Sequence, residues 1–136
     1  MGRYEEFQAY RTRMNARILG DDAERGTNPD GSIRMGGTLV TKRFFGLDGR
    51  TYEDGALSAR TKELLGLVAS MVLRCDDCIA YHVDQCVKAG VTDEELWESF
   101  DVALIVGGSI VIPHARHAML SMDELFAEKA AGTLPA

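Results

Sequence analysis

Apolar positions in this chain recur at the three-and-four spacing of helices rather than the alternation of strands. Tyr4, Phe7, Met14 and Ile18, with Arg and Glu between them, predict a first helix over residues 3–19. The stretch GDDAERGTNPDGSIRMGG (20–37) is rich in turn-forming residues and predicts a loop. A short helix over Thr38 to Phe45 follows, then a second loop at GLDGRTYEDG. Ser58 is placed to cap a helix that carries Lys62, Glu63 and an apolar run from Leu64 to Leu73. Thr92 and Glu95 form a T-x-x-E capping box, and the helix behind it presents Leu96, Trp97, Phe100, Ala103 and Leu104 before Gly107 and Gly108 interrupt it. Pro113 suits the first turn of a last helix with Ala118, Met119, Met122, Leu125 and Phe126. No stretch alternates at period two and no repeat is present. The expectation is an all-α chain of five or six helices, one domain over 1–136, with residues 1–36 as a helix-and-loop extension whose helix is an arm that packs separately, on this subunit or another.

The chemistry gathers in RCDDCIAYHVDQC, Arg74 to Cys86. On a helix, Cys75, Cys78 and His82 fall within an arc of roughly 60°, and Cys78 and His82 stand at i and i+4, where side chains meet. A thiol becomes a nucleophile by losing its proton. The positive end of a helix dipole, an imidazole base and a second sulfur that traps an oxidised one are all within reach of Cys78. Asp76 and Asp77 favour the helix start but oppose a neighbouring thiolate. Glu63 lies twelve residues before Cys75, about 18 Å of rise along one straight helix. It meets His82 only if the chain breaks near Leu73 and Arg74 and folds back. The plainer alternatives are two small buried cysteines, a core histidine and a solvated glutamate. Cys86 reads as a core-filling cysteine. His114 and His117 read as exposed or helix-end residues, unless one approaches the thiols.

A net charge of −6 argues against a nucleic-acid partner. The apolar runs are far shorter than the roughly 20 residues of a membrane helix, and no signal peptide is read at the start. Three cysteines, an odd number with two of them close together, point to reactive thiols in a reducing compartment. A soluble, cytoplasmic protein is expected.

The run Glu63-x11-Cys75-x2-Cys78-x3-His82, with LSARTKELLGLVAS before it and HVDQCVKAGVTDEELWE and a Gly pair after it, resembles the alkylhydroperoxidase D-like branch of the carboxymuconolactone decarboxylase family over residues 56–125. That resemblance implies helical subunits assembled into homo-oligomers from dimers, often trimers or hexamers, with the site close to an interface. It implies a thiol peroxidase or disulfide reductase that needs no resident cofactor and draws electrons from an external thiol or dithiol. Cys78 would attack the peroxide, Cys75 would resolve it, and His82, by way of a water, would pass a proton towards Glu63. One departure is Asp77, which stands where peroxidase members can carry a histidine that helps disulfide closure. The decarboxylases of the family lack the cysteine pair, so decarboxylation is not the expected reaction. Two rival readings stay open. One is a zinc-binding module with Cys75, Cys78, His82 and His114 or His117 as ligands. The other is a non-catalytic oligomeric redox sensor.

Overall fold

The computed structural model describes residues 2–134. It is all-helical: α1 Arg3–Leu19, α2 Asp22–Arg25, α3 Leu39–Thr51, α4 Ala59–Val72, α5 Asp76–Lys88, α6 Asp93–Gly107, a 3-10 turn Ser109–Val111 and α7 Ile112–Ala131. The pairing of Thr27 with Ile33 is the one isolated β-bridge among the described residues.

Two compact units divide the chain. One comprises residues 5–53, the other residues 2–4 with 54–134. In the first unit, Asp21 and Glu24 close a reciprocal capping box on α2, a four-residue helix inside the segment expected to be loop. Helix α3 begins where the short helix was expected, with Thr38 as its N-cap, whose side chain accepts from Thr41 N–H. It then runs on to Thr51, through most of the expected second loop. Gly46 and Gly49 are turn signals in the sequence, yet a glycine inside a helix costs only about 1 kcal/mol and neighbouring helix formers outweigh it. Leu39, Val40, Phe44 and Leu47 of this helix are exposed.

The second unit holds the core. Helix α5 packs against α4 on one side and α7 on the other, and α4 also packs against α6. Leu67, Met71, Ile79, Val83, Val87, Leu96, Phe100, Ala118 and Leu125 are buried there. Burying a side chain of this kind contributes roughly 1.5–3 kcal/mol, so this shared interior dominates the unit's stability. Of three methionines in this unit, Met71 and Met122 are buried, whereas Met119 is only half-buried. The expected caps at Ser58 and Thr92 form, and Pro113 lies in the first turn of α7. Gly107 approaches its surroundings so closely that a Cβ there would lie 2.5 Å from Val111 Cγ2, and Gly108 adopts φ 80°, so the glycine pair makes the bend. The start of α1 also belongs to this unit. Glu124 of α7 accepts from the N–H groups of Arg3 and Tyr4 at 3.1 and 2.9 Å, satisfying donors that a helix start leaves open. The Tyr4 hydroxyl donates to the buried Asp84 at 2.6 Å.

Candidate active site

The turn between α4 and α5 creates the site. Arg74 has φ 60°, in the left-handed region where glycine is customary. Its N–H bonds to Met71 C=O at 3.1 Å, and the N–H of Cys75 bonds to Ser70 C=O at 3.0 Å. This is a Schellman closure, the pair of bonds that satisfies the last carbonyls of a helix while turning the chain. Helix α4 therefore stops, and after three intervening residues α5 starts and packs back along it. The break expected near Leu73 and Arg74 is present.

Cys75 is the N-cap of α5, and its sulfur accepts from the N–H of Cys78 at 3.3 Å. Cys78 sits in the first turn of the helix. The two form a disulfide with Cα atoms 5.3 Å apart, within the usual range for such bridges. Cys78 is exposed and Cys75 half-buried, so neither is one of the buried, apolar-behaving cysteines that the plainer reading required.

One turn further along α5, the His82 ring turns inward and meets α4. Its Nδ1 lies 2.8 Å from Glu63 Oε2, with Glu63 6% and His82 8% exposed. A carboxylate taken out of water needs a hydrogen-bonding partner, and the imidazole supplies one directly, with no water between them. Glu63 is thus not the solvated surface residue of the plainer reading. The Tyr81 ring stands edge-on to His82 at a centroid distance of 5.1 Å. Another turn on, Cys86 is fully buried. Burial, and then the nearby Glu63 carboxylate, pushes its thiol up to about 12. It is a core-filling cysteine, as its position on the helix suggested.

The structure brings together a group that the sequence did not assemble. Asp76, in the first turn of α5, receives both histidines of α7: His114 Nδ1 at 2.7 Å on Oδ1 and His117 Nε2 at 3.4 Å on Oδ2. The i,i+3 spacing of PHARHA was the available signal, since it puts two imidazoles on one helix face, but nothing in the sequence named Asp76 as their common partner. Among the described residues no group of three or more His, Cys, Asp or Glu side chains is placed to hold a metal ion. The zinc reading therefore finds no ligand set, because His82 is turned to Glu63 and the α7 histidines to Asp76. Two surface concavities of about 540 and 390 Å³, one beside Val91, Met122 and Phe126 and the other beside Leu65, Val68 and Val102, do not include the thiols. No helix among the described residues is long and apolar enough to cross a membrane.

Comparison with known proteins agrees with this architecture. Residues 39–120 match the family model of the carboxymuconolactone decarboxylase family, so the match takes in α3 as well as most of the segment over which the motif resemblance runs. A protein of Paracoccus denitrificans known as uncharacterized protein 4 in the cox locus is 30% identical over 95 residues, which is 70% of this chain and 86% of that protein. The crystal structure of a carboxymuconolactone decarboxylase family protein from Thermotoga maritima, for which involvement in an antioxidative response has been suggested, is similar at 47% identity. The TM-score is 0.78, over 94% of this chain and 96% of that one. A carboxymuconolactone decarboxylase family protein from Legionella pneumophila, solved in its apo form, is similar at 32% identity, with a TM-score of 0.59 over 62% of this chain and 76% of that one. The chain belongs to the carboxymuconolactone decarboxylase family.

Proposed function

We propose that this chain is a thiol-dependent peroxidase of the alkylhydroperoxidase D-like branch, with Glu63, Cys75, Cys78 and His82 as its catalytic residues. The observation that carries the reading is the buried Glu63–His82 hydrogen bond, one helical turn from an exposed cysteine already bridged to its neighbour. With the carboxylate accepting from Nδ1–H, the imidazole presents Nε2 as its basic nitrogen. It then accepts the Cys78 proton, and the buried carboxylate stabilises the imidazolium that forms. The Cys78 thiolate attacks a hydroperoxide oxygen. The O–O bond breaks, the alcohol leaves with a proton, and Cys78 becomes a sulfenic acid. The Cys75 thiol attacks that sulfur, forming the disulfide and releasing water. An external dithiol then reduces the disulfide and is itself oxidised to a disulfide, so electrons balance over the cycle. The antioxidative role suggested for the Thermotoga relative is consistent with this chemistry.

The test is steady-state consumption of an organic hydroperoxide with a dithiol reductant. Wild type turns over, and Cys78→Ser loses at least about a thousandfold, since without the nucleophile only uncatalysed chemistry remains. Equal slow rates in wild type and Cys78→Ser would remove the peroxidase reading and leave a redox sensor that forms the disulfide without useful turnover.

A further inference from the structure

Asp76 is next in the chain to Cys75 and two residues before Cys78, so its charge bears on both sulfurs. It is not needed to cap α5, because Cys75 already does so. Instead its two carboxylate oxygens are divided between two imidazoles of another helix, at 2.7 Å from His114 and 3.4 Å from His117. The two rings stand 6.4 Å apart between centroids. All three side chains are between a fifth and a third exposed, so the cluster is neither core packing nor a fully solvated surface pair. A bare carboxylate beside a thiol opposes its ionisation. The His114 imidazole, hydrogen-bonded to that carboxylate, and the His117 ring beside its other oxygen draw its charge away from the sulfurs and towards α7.

We propose that Asp76, His114 and His117 form a charge-shielding clamp that holds the first turn of α5 against α7 and favours the thiolate form of the Cys75–Cys78 pair. All three are positioning residues, and none is assigned contact with the peroxide. The other charged groups around the sulfurs are Asp77 in the same turn, Arg74 immediately before it and the Glu63–His82 pair; the variants below leave them in place. The inference rests on the redox reading of the cysteine pair, but its readouts require no peroxide.

The experiment measures thiolate absorbance of the reduced protein against pH, together with alkylation by iodoacetamide at pH 7, mapped to Cys75 and Cys78 by mass spectrometry. Removing the shield with His114→Ala and His117→Ala raises the thiol midpoint by at least about half a unit and slows alkylation about threefold, in proportion to the thiolate fraction. Asp76→Asn shifts both readings the opposite way. In the Asp76→Asn background, removing the two histidines changes nothing further, because they act only through that carboxylate. A merely structural contact would not give opposite signs, and circular dichroism confirms that each variant is folded. Unmoved thiols in the double histidine variant, a shift of the same sign for Asp76→Asn, or the same histidine effect without Asp76 would each overturn the clamp. A wild type that titrates as described yet consumes no peroxide would remove the peroxidase reading and leave the clamp standing.

Discussion

The two ends of α5 carry the same residue type under opposite conditions. At its start, Cys75 and Cys78 lie at or near the surface, in the turn where the helix dipole favours an anion. Eight residues beyond Cys78, Cys86 is fully buried, and its thiol is held protonated to about 12. The backbone closures leading into and out of the helix are built alike around different residues. The turn before α5 places Arg74 at φ 60°, whereas the turn after it places Gly90 at φ 84°. Both use the same pair of bonds, Arg74 and Cys75 to Met71 and Ser70 in the first, Gly90 and Val91 to Val87 and Cys86 in the second. The exposure of each cysteine follows from its position on the helix. Between the two ends stands His82, one turn beyond Cys78 and buried deeply enough to reach Glu63.

The largest effect is expected at the Glu63–His82 pair. Glu63→Gln keeps the size and a hydrogen-bonding group but removes the buried charge, and it is expected to lower peroxide turnover about a hundredfold, the usual scale for a lost acid–base group. Disulfide formation with oxidised glutathione should persist. Turnover within threefold of wild type would mean that the carboxylate supports the fold and not the thiol.

The buried end makes a smaller, pH-dependent prediction. Cys86 ionises near 9.0 when the chain is unfolded but only at about 12 when folded, so across that window the folded state holds the extra proton. Its contribution to stability is intact below about 9 and declines as pH rises towards about 12. Denaturant melts at pH 8.5 and pH 10.5 should show wild type losing more stability between the two than Cys86→Ala does. At pH 8, the oxidised native protein should offer no thiol to iodoacetamide until denatured, when it offers one. Rapid labelling of the native protein would contradict the contrast between the two ends.

The smallest effect concerns the two turns. Arg74→Gly relieves a left-handed conformation that costs a side-chain-bearing residue about 1 kcal/mol, and should stabilise the protein by up to that amount. Gly90→Ala should destabilise it by about the same, although a Cβ there meets nothing within 4 Å, because the strain is conformational and not steric crowding. A stabilising Gly90→Ala would remove the equivalence of the two closures.

Much of this was legible along the chain. Helix caps at Ser58 and Thr92, the bend at Gly107–Gly108 and the proline of α7 are local signals, and each appears where its residue type requires it. The break between Glu63 and Cys75 was legible as a necessity, since one straight helix holds them apart. It was not legible as a particular turn, because arginine is not a residue that announces a left-handed backbone. The extension of α3 beyond Phe45 was missed for a related reason. Gly46 and Gly49 weaken a helix by small amounts, and whether neighbours outweigh them is a sum that turn signals alone do not report.

The sequence by itself determined the spacing of Glu63, the two cysteines and His82, and with it the helix face that Cys78 and His82 share, because local geometry repeats every 3.6 residues whatever surrounds it. Only the tertiary structure decided that α4 and α5 pack so that a carboxylate nineteen positions away meets the imidazole at 2.8 Å, and that α7 delivers His114 and His117 to Asp76. Such long-range pairings depend on how whole helices bury their apolar faces against one another. No window of neighbouring residues encodes them, because their energy belongs to the packed core and not to the segments that compose it.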